Sequence, residues 1–348
     1  MRVRLGLIFC TMAVAAVIAG CGGSDGGQGG GGGEAKARPG LVLDVGGLGD
    51  KGFNDSAYKG MKRAEKEFDV KGEYLESTAP TDYTDNLTQL AESGYDPVIA
   101  VGFLMTDDLT EVSRQFPDTQ FAIVDSVVDT PNTIDLVFRE QEGSYLAGIV
   151  AGLMTQEDTE YTSSDDKVVG FLGGQTGPLI EKFQAGYEAG VKSVCPDCKV
   201  VVQYTGSTPE AFVDPARGKE ISLRQISQGA DIIYHAAGNT GAGLFEAAEQ
   251  EDIFAIGVDF DQAKQFPDAP ILTSVVKRVD NAVYQTIKDV EKGGQPRGTT
   301  VDRGLKEGGI SLAPFGRFDK DVPQKVKDAV DKANKGIING DIKVPDKP

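Results

Sequence analysis

LVLDVGGLGDKGFN, residues Leu41–Asn54, opens with an apolar run broken by one acid, Asp44. A glycine-dense loop follows, with Gly46, Gly47, Gly49 and Gly52, and then Phe53 and Asn54. Beyond it Ala57, Met61, Ala64 and Phe68 recur at helical spacing, with Lys59, Lys62, Arg63 and Glu65 on the other face. The stretch reads as strand, loop and helix, with Asn54 as the expected helix cap. In an open parallel sheet such a loop lies at the carboxyl end of its strand, where ligands bind, so Asp44 is expected to face that crevice. Gly47-Leu-Gly49-Asp-Lys-Gly52 also matches the dinucleotide fingerprint G-x-G-x-x-G. A pyrophosphate there would meet the carboxylate of Asp44, and the preceding segment marks a chain that leaves the cytoplasm. Both points argue against a nicotinamide site.

That preceding segment, Met1–Gly20, carries Arg2 and Arg4 and then an apolar run from Leu5 to Ala19. It is short for a membrane span and has the charge pattern of a signal peptide. It ends Ile18-Ala19-Gly20-Cys21, which resembles a bacterial lipobox and implies cleavage before Cys21 and acylation of that residue. Residues 21–40 are then a glycine-rich tether, a flexible coil spanning on the order of 20–25 Å. The expected location is the extracytoplasmic face of a cell membrane, held by lipid.

The 348 residues carry a net charge of −18, and losing Arg2 and Arg4 makes the mature chain more acidic still. Nucleic acid and acidic membrane surfaces are disfavoured as partners. A hydrophobic share of 40% and a charged share of 25% fit a globular protein long enough for two domains. Of four cysteines, Cys10 leaves with the signal and Cys21 is the lipidation candidate. Cys195 and Cys198, in Cys-Pro-Asp-Cys between a helix and a strand, are a disulfide candidate in an oxidising compartment. A redox role fits less well, because no helix is expected to begin at the first cysteine.

Further along, apolar strands alternate with helices every 25 or so residues, which predicts an α/β fold with a parallel doubly wound sheet. Strands are expected at Glu73–Ser77, Val98–Val101, Phe121–Val124 and Ile134–Phe138, and a Gly/Ala-rich helix over Glu142–Met154. After the polar loop Tyr161–Asp166 the pattern restarts at Val168–Leu172, again followed by Gly-Gly and a helix, which hints at two similar halves. Asp44, Asp125, Asp259 and Lys277 each sit just after an apolar strand, and Phe53 and Phe183 lie in helices that follow two of the loops. Singly, such an Asp is a turn former or cap and such a Phe is core. Jointly, in two facing halves, they suggest a neutral, planar, hydroxylated ligand: rings stack on it, and carboxylates accept from its hydroxyl or N–H groups.

Seven stretches then resemble one family: LVLDVGGLGDKGFNDSAYKG, FAIVDSVVD, EGSYLAGIVAGLM, KFQAGYEAG, AAGNTGAG, IGVDFDQ and LTSVVKR. They are similar to the basic membrane protein family, also called purine nucleoside receptor A-like, of substrate-binding lipoproteins for ABC transporters. The resemblance implies a type I periplasmic-binding-protein fold, two Rossmann-like lobes joined by three hinge crossovers. It sets lobe 1 at 41–140 plus 260–292, and lobe 2 at 141–259 plus 293–348. It implies a purine nucleoside held between Phe53 and Phe183, with Asp44, Asn54 and Asp125 near the base and Gly238, Asp259 and Lys277 near the ribose. Gly52 departs from the family, which commonly has serine there. The implied partners are ABC permease and ATPase subunits, the implied state is a monomer, and no metal or cofactor is expected.

Three alternatives stay open. Riboflavin or another flat ring also fits between two aromatic side chains. A secreted nucleoside hydrolase would need chemistry from a pair such as Asp259 and Asp261, and the single histidine, His235, leaves little for a nucleophile–base arrangement. A surface adhesin would predict a large exposed apolar patch.

Overall fold

Two six-stranded sheets carry the chain. In the first, β1 (Gly40–Leu43) lies between β2 (Glu73–Glu76) and β3 (Val98–Val101), followed by β4 (Phe121–Val124), β5 (Thr133–Phe138) and, at the far edge, β11 (Thr299–Arg303). In the second, β6 (Val168–Gln175) lies between β7 (Lys199–Gly206) and β8 (Ala230–Ala236), followed by β9 (Phe254–Asp259), β10 (Ile271–Lys277) and β12 (Ile310–Leu312). Every pairing is parallel except β10 with β12. β1, β3 and β4 are buried at every position, as parallel strands covered on both faces must be. This computed structural model describes residues 37–165, 167–294 and 297–348. The signal segment, Cys21, most of the tether and Asp166 lie outside the described residues.

Nine helices are described: α1 (Phe53–Phe68), α2 (Tyr83–Glu92), α3 (Thr106–Gln115), α4 (Glu140–Met154), α5 (Pro178–Val194), α6 (Pro215–Ile226), α7 (Ala242–Glu251), α8 (Val279–Glu291) and α9 (Gln324–Asn339). The two sheets have matching strand orders, and the hint of two similar halves has a structural counterpart in their helices. In the first lobe α1 packs on α8, and in the second α5 packs on α4. Both contacts run through the glycines that the sequence repeats. A Cβ on Gly60 would lie 2.3 Å from the carbonyl oxygen of Asp280, and one on Gly186 would lie 2.2 Å from that of Gln141. Neither position has room for a side chain, so the backbones touch.

The chain passes between lobes three times: from β5 to α4, from β10 to α8, and from β11 to β12. These passages are tied together. The amide of Arg139 donates to the Arg303 carbonyl at 3.1 Å, and that of Arg278 to Gly309 at 2.8 Å. The Arg139 guanidinium bonds Glu142 at 2.7 Å, Asp302 at 2.9 Å and also Glu307.

The expected lobe boundaries need correction. Strand β10, with Lys277, belongs to the second sheet and not to lobe 1, so of 260–292 only the part beginning at α8 joins the first lobe. Conversely β11, expected in lobe 2, pairs with β5 in the first sheet. An apolar strand carries no mark of the sheet it joins; the partner does, and β10 finds β9 beside it in parallel register. Cys195 and Cys198 form a disulfide just past the end of α5.

Candidate functional site

The loop after β1 is organised by a carboxylate, though not by the residue the sequence suggested. Asn54 is not the cap of α1. Asp50 does that work: its oxygens accept from the amides of Gly52 at 2.9 Å, Asn54 at 2.7 Å and Asp55 at 3.2 Å. Asn54, one residue inside the helix, turns its side-chain carbonyl back to accept from the amide of Asp44 at 3.0 Å. The Oδ1 of Asp44 accepts from its neighbour Val45 at 2.8 Å and from the hydroxyl of Tyr83 on α2. Its Oδ2 lies against Gly102, whose φ of +128° and missing side chain leave the carboxylate room.

At the other strand ends Asp125 and Asp259 both take left-handed backbone conformations, with φ of 70° and 64°. Asp125 follows β4 and Asp259 ends β9, strands that hold the same position in the two sheets. Lys277 ends β10 and reaches across the lobes. Its Nζ lies 2.6 Å from Asp125 Oδ2 and 3.0 Å from Glu140 Oε1 at the start of α4. All three side chains are almost wholly buried. Lys182 on α5 approaches the other oxygen of Glu140 at 3.4 Å.

All eight residues named from the sequence line one cavity of about 680 Å³ between the lobes, counting its mouth. Asp44, Phe53, Asn54 and Asp125 come from the first lobe, and Phe183, Gly238, Asp259 and Lys277 from the second. The centroids of Phe53 and Phe183 lie 5.5 and 5.6 Å from Lys277 Nζ, so the rings stand no farther apart than twice that. Phe53 is half-buried, whereas Phe183 is only 3% exposed.

The electrostatics favour uncharged or hydrogen-bond-donating occupants. Burial pushes Asp44 and Asp259 up to about 7, and Asp125 to about 6 despite the neighbouring ammonium of Lys277. Burial also opposes the charge of Lys277, but Asp125, Glu140 and Asp259 together hold it protonated well above its usual range. Four aspartates line the walls, Asp50 among them, while the one lining cation is already paired. A phosphate or carboxylate ligand would meet repulsion there.

Sequence reasoning missed Asp50, Tyr83, Glu140, Phe103 and Phe212. Phe103 had a signal, since it follows β3 and a glycine as Phe53 follows the first loop. Phe212 sits in a short turn with no periodic mark, yet its ring meets Phe103 edge to face at 6.2 Å from the opposite lobe. Glu140 escaped because the helix was expected to start two residues later.

The histidine takes no part in the cavity. His235 is buried in β8, bonded through Nε2 to Gln262 at 2.9 Å, and burial lowers it to about 4. Asp261 pairs with Lys264 at 2.8 Å. Among the described residues no group of three or more His, Cys, Asp or Glu side chains is placed to hold a metal.

Residues 38–348 match the family model described as "ABC transporter substrate-binding protein PnrA-like". The chain belongs to this family. It is 38% identical over 330 residues to the CD4+ T-cell-stimulating antigen of Listeria monocytogenes, a match covering 88% of each chain. It is 34% identical over 357 residues to the ABC transporter nucleoside-binding protein BmpA of Lactococcus lactis, covering 97% of each. Among solved structures it is similar to an ABC transporter solute-binding protein of Aeropyrum pernix, at a TM-score of 0.79 and 30% identity, covering 89% of this chain and 94% of that one. The PnrA-like family is one of substrate-binding proteins, which fits a cleft lined by acceptors and rings.

Proposed function

We propose that this PnrA-like protein captures nucleosides, purine nucleosides foremost, between its two lobes and delivers them to an ABC permease and its ATPase. It acts without catalysis, as a monomer held by lipid at Cys21 on the extracytoplasmic face. The observation that carries this reading is the convergence of the eight residues on one interlobe cavity, with the rings of Phe53 and Phe183 5.5 and 5.6 Å from Lys277 Nζ. A base stacked between the rings meets Asp44, Asn54 and Asp125 of the first lobe; its ribose meets Gly238, Asp259 and Lys277 of the second. The name of the Lactococcus relative supports the same ligand class. Ligand then bridges the lobes, and only the closed state makes both sets of contacts.

A flavin is the second reading, favoured by the extra rings of Phe103 and Phe212 in the lining. The adhesin alternative finds less support, because the large apolar side chains exposed among the described residues are just Val127 and Val213. Equilibrium binding of adenosine, inosine, guanosine and riboflavin to the domain lacking Cys21 tests the proposal. Saturable 1:1 binding of a purine nucleoside is expected. Binding of riboflavin alone would favour the second reading, and ribose release from a nucleoside would favour an enzyme.

A further inference from the structure

We infer that Tyr83 is a positioning residue for ligand selection: it fixes Asp44 as a hydrogen-bond acceptor opposite the donor amide of Asn54. The inference rests on the nucleoside reading and deepens it. Three contacts carry it. Tyr83, at the start of α2 and 1% exposed, gives its hydroxyl hydrogen to Asp44 Oδ1, which also accepts from the Val45 amide. With Oδ1 occupied, Oδ2 is the oxygen left for a ligand, and side-chain-free Gly102 backs it. The Asp44 amide in turn occupies the carbonyl of Asn54, so that side chain presents its NH₂ to the cavity it lines.

The result is a fixed acceptor–donor pair. A 6-oxopurine matches it, with its ring N–H toward Asp44 and its carbonyl toward Asn54. A purine riboside without oxygen or amine on C6 has no hydrogen to give Asp44 there. Tyr83 holds the pair in this sense because a hydroxyl that donates to the ionised carboxylate favours ionisation. The charged groups nearest Asp44 oppose it, while one near Tyr83 supports it. Asp50 from the loop and Asp125 from the end of β4 repel a charge on Asp44, and Asp108 of α3 lies close enough to Tyr83 to disfavour loss of its proton. Without Tyr83 the carboxyl keeps its proton to higher pH, becomes a donor, and the pair no longer matches the lactam edge.

The test compares inosine with unsubstituted purine riboside across pH 5.5–8, in the wild-type domain and in Tyr83→Phe. In the wild type, inosine affinity is expected to fall as pH drops through about 7, where Asp44 takes up its proton, while purine riboside affinity stays level. In Tyr83→Phe, inosine is expected to bind on the order of tenfold more weakly at pH 7.5, as loss of one charge-assisted hydrogen bond implies, and to recover in part toward pH 8, below the range where inosine loses its own ring N–H. Equal losses for both ligands at every pH would reduce Tyr83 to a structural role and overturn the inference. If the variant does not fold, the wild-type profile decides: a flat inosine curve overturns it. Failure of the wild type to bind inosine at any pH would instead remove the nucleoside reading, and this inference with it.

Discussion

Phe53 and Phe183 share a proposed role but differ in what surrounds them, and their substitutions separate affinity from stability. Phe53 is half-buried at the first turn of α1, so Phe53→Ala should leave folding nearly intact. It should weaken nucleoside binding roughly 10- to 100-fold, the worth of a base–aromatic stack. Phe183 is core as well as wall, and Phe183→Ala should cost about 3–5 kcal/mol of stability besides affinity. Titration calorimetry beside thermal unfolding of each variant checks both statements; equal stability loss in the two would contradict the assignment. Gly52 is a milder case. A Cβ there would meet Asp259 Oδ2 at an ordinary 3.5 Å, so a serine would fit beside that carboxylate. Eight of the eighteen lining residues were legible, because loop ends after apolar strands are visible in sequence. Tyr83 and Glu140 were not, because a residue that acts by gripping another side chain leaves no pattern of its own.

The elements that set the cleft are the helix pairs α1–α8 and α5–α4, both joined backbone to backbone. Gly186→Ala pushes a methyl into the Gln141 carbonyl and should cost at least about 2 kcal/mol, lowering the melting temperature by several degrees. Gly294→Ala, whose Cβ would lie 3.5 Å from its nearest neighbour, the Asp289 carbonyl, is the control and should be near neutral. Comparable melting of the two variants would mean that the close packing of α4 on α5 matters little. Element type and order were readable along the chain, since buried parallel strands are short, apolar and bounded by glycine. The short edge strands β11 and β12 were missed, because their residues are largely polar or exposed and carry no apolar run. Membership of β10 was misread for a different reason: sheet assignment depends on strands far apart in sequence.

At the scale of the molecule, the cleft stores acidic groups that would rather be neutral. Asp44, Asp125 and Asp259 have folded values of about 6–7, above those of an unfolded chain, so the folded state holds protons that the unfolded state has released. Ligand-free protein should therefore melt at a higher temperature at pH 5.5 than at pH 8.0. Buried His235, lowered to about 4, opposes this trend within the interval, because the unfolded imidazole takes up a proton that the folded one refuses, but it is one group against three; Asp280 and Glu307 are shifted down too, and their contribution is lost only at more acidic pH. A melting temperature that is flat or rises over the same interval would contradict the burial of those carboxylates. The ligand is expected to be gripped at both ends, its base between rings of the two lobes with its edge on the first and its sugar on the second, so that neither half of it suffices. Calorimetric titration of the Cys21-less domain with inosine and, separately, with hypoxanthine tests it most directly. Inosine is expected to bind 1:1 and the free base at least roughly 100-fold more weakly, the loss of two charge-assisted hydrogen bonds. Equal affinity for the two, or no saturable heat with inosine, would contradict it.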